Sequence, residues 1–200
     1  MKQVQPIYGQ DYAPGYALFI KRDGNFMSAG IAWFQSLFES AEFIASHVLL
    51  VVDEKFGIEA AEHGIQLCYL SEYFDDPGKQ VVCREPADLD DKTVSEILAY
   101  AKTQIGKPYD YTGLVFGFAL MLITGFTKWI KPLRKLPVPF HIPGARVCSA
   151  AVADDYKHTK KYGEIQLFRE WHVSRITPVK LWNEFPFKPF HFYQERAWTE

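Results

Sequence analysis

The chain has 200 residues and a formal charge of −2, from 22 Lys and Arg against 24 Asp and Glu. Hydrophobic residues make up 48% and charged ones 23%, which excludes a disordered tail, a collagen-like rod and a coiled coil and leaves one globular domain. No global basic field exists, so nucleic acid is not an expected partner. Aromatic residues reach 16%, enough to fill a substantial core, line a pocket or meet a lipid surface.

In chain order, Tyr16 to Lys21 reads as a strand entered from a Pro14-Gly15 turn. Ser28 to Phe43 carries Ile31, Phe34, Leu37 and Phe38 at helical spacing and predicts a helix. Ser46 to Val52 is a β-branched run, the pattern of a mostly buried strand. A turn at Asp53 to Phe56 is followed by Gly57-Ile-Glu-Ala-Ala, a strand antiparallel to the first. Gly64 to Leu70 and Gln80 to Glu85 are further strand candidates. Lys92 to Ile105 is the clearest helix. Val94, Ile97, Leu98, Ala101 and Ile105 make one apolar stripe, Asp90 and Asp91 stand at its start, and Gly106 with Pro108 ends it.

Tyr111 to Thr127 carries no charge, yet its 17 residues with three glycines fall short of the roughly 20 that a membrane span needs. Lys128, Lys131, Arg134 and Lys135 follow, with Trp129 among them. Two readings stay open: a buried helix or pocket wall beside a solvated basic loop, or a peripheral membrane contact through 111–135. After the proline-rich stretch from Pro132 to Pro143, Cys148-Ser-Ala-Ala-Val-Ala-Asp-Asp-Tyr reads as a short helix beginning at the cysteine. An aromatic tail runs from Trp182 to Phe192. Strands in the first half with helices before and after give an α+β class.

Three cysteines, Cys68, Cys83 and Cys148, cannot all pair within one chain, so a free thiol is expected rather than a disulfide framework. The first residues lack an apolar leader, which predicts a cytoplasmic location, with peripheral membrane or virion association left open. No His or Cys spacing suits zinc, so neither metal nor cofactor is expected.

Cys148 is the strongest candidate for chemistry. At a helix N-terminus the unsatisfied backbone N–H groups and the macrodipole favour a thiolate, and the N–H groups of Cys148 and Ser149 can receive an oxyanion. The bland alternative is an ordinary buried cysteine, which is also the natural reading of Cys68 and Cys83 inside their strands. His47, at the start of an apolar strand that would hold it at a sheet edge, is the candidate base. Glu59, set between Ile58 and Ala60 on the neighbouring strand, is costly there unless partnered and is the candidate acceptor that orients the base.

The ordered set Ser46-His47-Val48, Ile58-Glu59-Ala60 with Gly64-Ile65, Gly106-Lys-Pro-Tyr-Asp-Tyr and Val147-Cys148-Ser149-Ala150 resembles the YiiX-like branch of circularly permuted NlpC-type hydrolases. Thr177-Pro178-Val179-Lys180-Leu181 is similar to that branch's Pro-x-x-Leu ending. The resemblance covers roughly residues 12–182 in short patches whose order is the specific signal. It implies an antiparallel sheet packed against helices in a papain-like fold, as a single permuted domain over 1–200 with an apolar and basic insertion at about 112–146. It also implies Cys148 as nucleophile, His47 as general base, Glu59 as the third member and Tyr109 as an oxyanion or substrate contact beside Ser149. Ala150-Ala151 departs from the Glu-Leu common in that family.

The function expected on this basis is a cysteine hydrolase, an amidase or peptidase, acting on an amide bond of cell-wall peptide type. Its substrate would be a peptide, an amino-acid derivative or a small acyl amide. Two alternatives are a lipid-directed thiol acyltransferase or amide hydrolase at a membrane surface, and a catalytically silent binding protein of the same fold.

Overall fold

The structure, a computed structural model, describes residues 6–22, 43–110, 134–135 and 147–189. Five antiparallel strands form one sheet: β1 (Ala17–Arg22), β2 (His47–Val51), β3 (Phe56–Ala61), β4 (Gly64–Tyr69) and β5 (Lys79–Arg84), in the spatial order β4-β3-β2-β1-β5. The one-turn helix α1 (Ser71–Phe74) joins β4 to β5. After the sheet come α2 (Asp91–Gln104), α3 (Cys148–Lys157), α4 (Gln166–Glu170), a 3₁₀ turn (Val173–Arg175) and α5 (Pro178–Glu184). The strands begin and end within a residue or two of their sequence positions.

Register explains why these strands read as continuous apolar runs. Phe19 stands opposite Val48 and Val82, and Leu18 opposite Leu49 and Cys83. Side chains alternate between faces, and both faces are covered. Ala17, Phe19, Val48, Leu50, Ile58, Ala60 and Val82 join the larger core with the helices. Leu18, Ile20, Leu49, Val51, Cys68, Val81 and Cys83 join a smaller one with Tyr12, Leu70 and Tyr73.

Helix α3 runs through the larger core, packed on β2, β3, α2, α5 and the 3₁₀ turn. Every residue from Cys148 to Tyr156 is buried, so its run of small residues reflects close approach on all sides. The Tyr156 hydroxyl donates to the Gly15 carbonyl at 3.0 Å, tying the helix to the turn that enters β1. The aromatic tail is core as far as it is described. Trp182 meets Phe19 edge-on at 5.1 Å, and Phe185 stacks on Tyr156 at 4.4 Å.

Two expectations need correction. The stripe of α2 does not run through Ile105, which is 40% exposed. Ile105 ends the helix, where the backbone leaves helical geometry (ψ 133°), and the buried line runs through Thr93, Ile97, Ala101 and Gln104. The His47 strand is also not at a sheet edge. β2 is the middle strand, because β1 pairs with both β2 and β5 and puts β5 on the outside.

The predicted helix over 28–43, apart from Phe43, the apolar stretch 111–127, Lys128, Lys131 and most of the proline-rich loop lie outside the described residues. Among the described residues no helix is long and apolar enough to cross a membrane.

Candidate active site

His47 is fixed by its backbone before its side chain is considered. Ser46 donates its N–H to the Ile20 carbonyl at 2.9 Å, and His47 opposes Ile20 in the β1–β2 ladder. The β2–β3 ladder, in contrast, comprises Leu50↔Ile58 and Val51↔Gly57 at the far end of β2. His47 and Glu59 lie beyond that stretch. There the imidazole Nε2 lies 2.7 Å from Glu59 Oε2. Both side chains are sheltered, 21% and 6% exposed.

Cys148 meets this pair from the other element. Val147 caps α3 in extended geometry (φ −89°, ψ 162°) and contributes no side-chain bond, so the first N–H groups of the helix are not used by a capping side chain. The neighbour that most favours the charged form of the buried sulfur is His47, and the backbone amides of Val48 and Ser149 act in the same sense. The imidazole thus hydrogen-bonds a carboxylate through Nε2 and acts electrostatically on a thiol.

The electrostatics follow from these contacts. Burial alone would raise the Cys148 thiol, but the hydrogen bond and charge of His47, with the two backbone amides, outweigh it and lower the thiol below its ordinary value. Burial likewise disfavours the imidazolium. The hydrogen bond and charge of Cys148, then those of Glu59, overcome that and raise His47 from 6.5 to about 9. Glu59, which burial would raise, is lowered from 4.5 to about 2 by His47, Tyr73 and Gln66. Each of the three shifts favours the charged form of its group.

Two further residues complete the site that sequence reasoning did not single out. The Tyr73 hydroxyl donates to Glu59 Oε2, and Gln66 Nε2 donates to Oε1 at 3.2 Å. Gln66 stands directly across from Glu59 in the β3–β4 ladder, a relation that strand register would have revealed. Tyr73 comes from the one-turn helix α1, where the sequence carries no periodic signal.

The remaining candidates divide. Ser149 is buried, and its hydroxyl donates to the Ile176 carbonyl at 2.6 Å, so its side chain anchors the 3₁₀ turn and its backbone amide is what faces the sulfur. Tyr109 is half-buried against the core that includes Cys148. The segment leading to it is fixed to the sheet: Ile65 N–H bonds to the Lys107 carbonyl and Gly106 N–H to the Ile65 carbonyl, both at 2.8 Å. Gly64 permits this approach, since it has φ +108° and a Cβ there would lie 2.4 Å from the Lys107 oxygen.

Arg134, one of the four basic residues that follow the apolar stretch, is engaged by the fold. It lies 3.7 Å from Glu170 and 4.9 Å over the Trp171 ring, while Lys135 is exposed. All three cysteines are free and buried. Among the described residues no group of three or more His, Cys, Asp or Glu side chains is arranged to hold a metal ion. A comparison of the sequence with protein-family models matches none of them, and a comparison with curated proteins gives no match.

Proposed function

We propose that the protein is a papain-like cysteine hydrolase of the permuted NlpC type, an amidase or peptidase with Cys148 as nucleophile, His47 as base and Glu59 as the acceptor that orients it. The observation that carries this reading is an imidazole hydrogen-bonded to a buried carboxylate, acting electrostatically on a buried sulfur at a helix start. The chain order of histidine strand, acidic strand and cysteine helix supports the same reading, as does the antiparallel sheet on which those elements are mounted.

The chemistry is acyl transfer in two halves. His47 holds the proton of Cys148, and the thiolate attacks the amide carbonyl to form a carbon–sulfur bond. Backbone N–H groups at the start of α3 stabilise the oxyanion. As the carbon–nitrogen bond breaks, the imidazolium passes its proton to the leaving amine. Water then attacks the thioester with His47 as base, releasing a carboxylic acid and restoring the thiol. Glu59 keeps the imidazole in one orientation and stabilises its charged form.

The test is to trap the acyl-enzyme. Peptides, amino-acid amides and small acyl amides are incubated with the protein and followed by intact mass and product analysis. The expected result is a transient acyl adduct on Cys148 and a carboxylic acid product, both lost in Cys148→Ala. An adduct that resolves only onto an added lipid amine or alcohol would favour the lipid-directed acyltransferase. No adduct and no turnover with any class would favour a binding protein.

A further inference from the structure

Glu59 is held by two side chains besides His47, and the better sheltered of them is Tyr73. Glu59 Oε2 receives both His47 Nε2 at 2.7 Å and the Tyr73 hydroxyl, while Gln66 occupies Oε1. Tyr73 does more than donate a hydrogen bond. Its ring stacks loosely on the His47 ring, 17° between planes at 6.0 Å between centroids, and both side chains converge on one oxygen. Rotation of the Glu59 carboxylate would break the hydrogen bond to Tyr73, and tilting of the imidazole would disturb its packing along Tyr73.

Tyr73 is itself fixed. It is 6% exposed, within the smaller core that includes Leu49, Cys68 and Leu70. The Lys79 ammonium lies 4.7 Å over its ring and is in turn held by the Glu72 carbonyl at 2.7 Å and by Asp76 at 3.2 Å. A chain of contacts therefore runs from β5 through α1 to Glu59 and His47. Gln66, half-buried on the outermost strand, is the weaker of the two flanking donors by length and shelter.

We propose that Tyr73 is the positioning residue of this site: with its ring and its hydroxyl it locks the Glu59 carboxylate and the His47 plane, and so keeps the imidazole aimed at the Cys148 sulfur. The inference rests on the triad reading above and adds to it a residue that touches neither the sulfur nor a substrate.

Alkylation of Cys148 by iodoacetamide, measured against pH by mass spectrometry, tests both levels in the full-length protein. The variants are Tyr73→Phe, which keeps the ring, Tyr73→Leu, which removes it, and His47→Ala. The expected result for Tyr73→Phe is an acid limb moved up by about half to one pH unit, a loss of about three- to tenfold at pH 6 that closes by pH 9. Tyr73→Leu should move the limb further. A purely packing role would lower Tm and leave the limb of the folded protein in place, and that outcome overturns the inference. Should Tyr73→Leu not fold, Tyr73→Phe alone decides. If His47→Ala raises the limb while Tyr73→Phe does not, the triad stands and only the positioning role fails. If neither moves it, the triad reading itself fails.

Discussion

Cys148 and the strand cysteines Cys68 and Cys83 are the same residue type, all buried and all unpaired, yet their surroundings push them in opposite directions. Cys68 and Cys83 are raised by burial first and by nearby carboxylates second, Glu59 and Glu72 in one case, Glu85 and Asp11 in the other. Cys148 suffers the same burial and is lowered. What differs is the intervening cation. Glu59 acts on Cys68 directly and makes its thiolate costlier. On Cys148 it acts through His47, whose positive charge it supports. One carboxylate therefore raises one thiol directly and supports the cation that lowers another, so burial alone does not fix a thiol's ionisation.

The sharpest way to break this contrast is to remove the sulfur. Cys148→Ala should abolish rapid alkylation at pH 6, whereas Cys68→Ala and Cys83→Ala should leave it intact. In the wild type, peptide mapping should find Cys148 labelled on the order of a hundredfold faster than either strand cysteine. Removing the cation comes next. In His47→Ala, labelling at pH 6 should fall by roughly ten- to a hundredfold, because thiolate formation loses its largest favourable interaction. Glu59→Gln keeps the shape and removes the charge, so its loss should be smaller, about three- to tenfold, with the imidazole still present.

The pair also leaves a signature in stability. His47 is raised, so its contribution is complete below 6.5 and is lost as pH rises through about 9. Glu59 is lowered, so its contribution is complete above 4.5 and is lost as pH falls through about 2. The two overlap fully between these limits. Wild-type Tm minus that of His47→Ala, measured across pH, should be greatest near pH 5–6 and shrink toward pH 9. The smallest effect is expected where the side chain is structural. Ser149→Ala loses its bond to Ile176 and should cost about 1–2 kcal/mol of stability in urea unfolding, with the alkylation profile of Cys148 unmoved.

Much of this site was legible because its members lie where local rules are strong. The change from a proline-rich loop to Cys148-Ser-Ala-Ala marks a helix start, and Val147 is indeed extended while Cys148 is helical. Glu59 stood out as a charge between two apolar neighbours in a strand, and the structure gives it three donors. The missing residues depend on information that no local pattern holds. Gln66 reaches Glu59 through cross-strand register, and Tyr73 through a one-turn helix whose direction is set by packing against the smaller core. The central place of β2 was invisible for the same reason. It follows from the pairing of β1 with β5, sixty residues apart in sequence terms by rough count, and not from anything within His47 to Val51.

Glycine positions test the frame that carries the pair. At Gly57 a Cβ would sit 2.8 Å from Leu49 Cδ1 and 2.9 Å from Leu70 Cδ2, between the strand that bears His47 and the residue that leads into α1. Overpacking there typically costs about 1–3 kcal/mol. Gly57→Ala should therefore lower the unfolding free energy by that amount, with a smaller secondary loss of Cys148 labelling as β2 and β3 are pushed apart.

The most direct measurement is the pH profile of Cys148 alkylation in wild type and in His47→Ala, with each cysteine resolved by mass spectrometry. An apparent thiol pKa well below the ordinary 8.5 in the wild type, rising when His47 is removed, is the expected result. A Cys148 that ionises like a free thiol in both proteins would contradict an imidazole-activated sulfur and leave this helix start as packing alone.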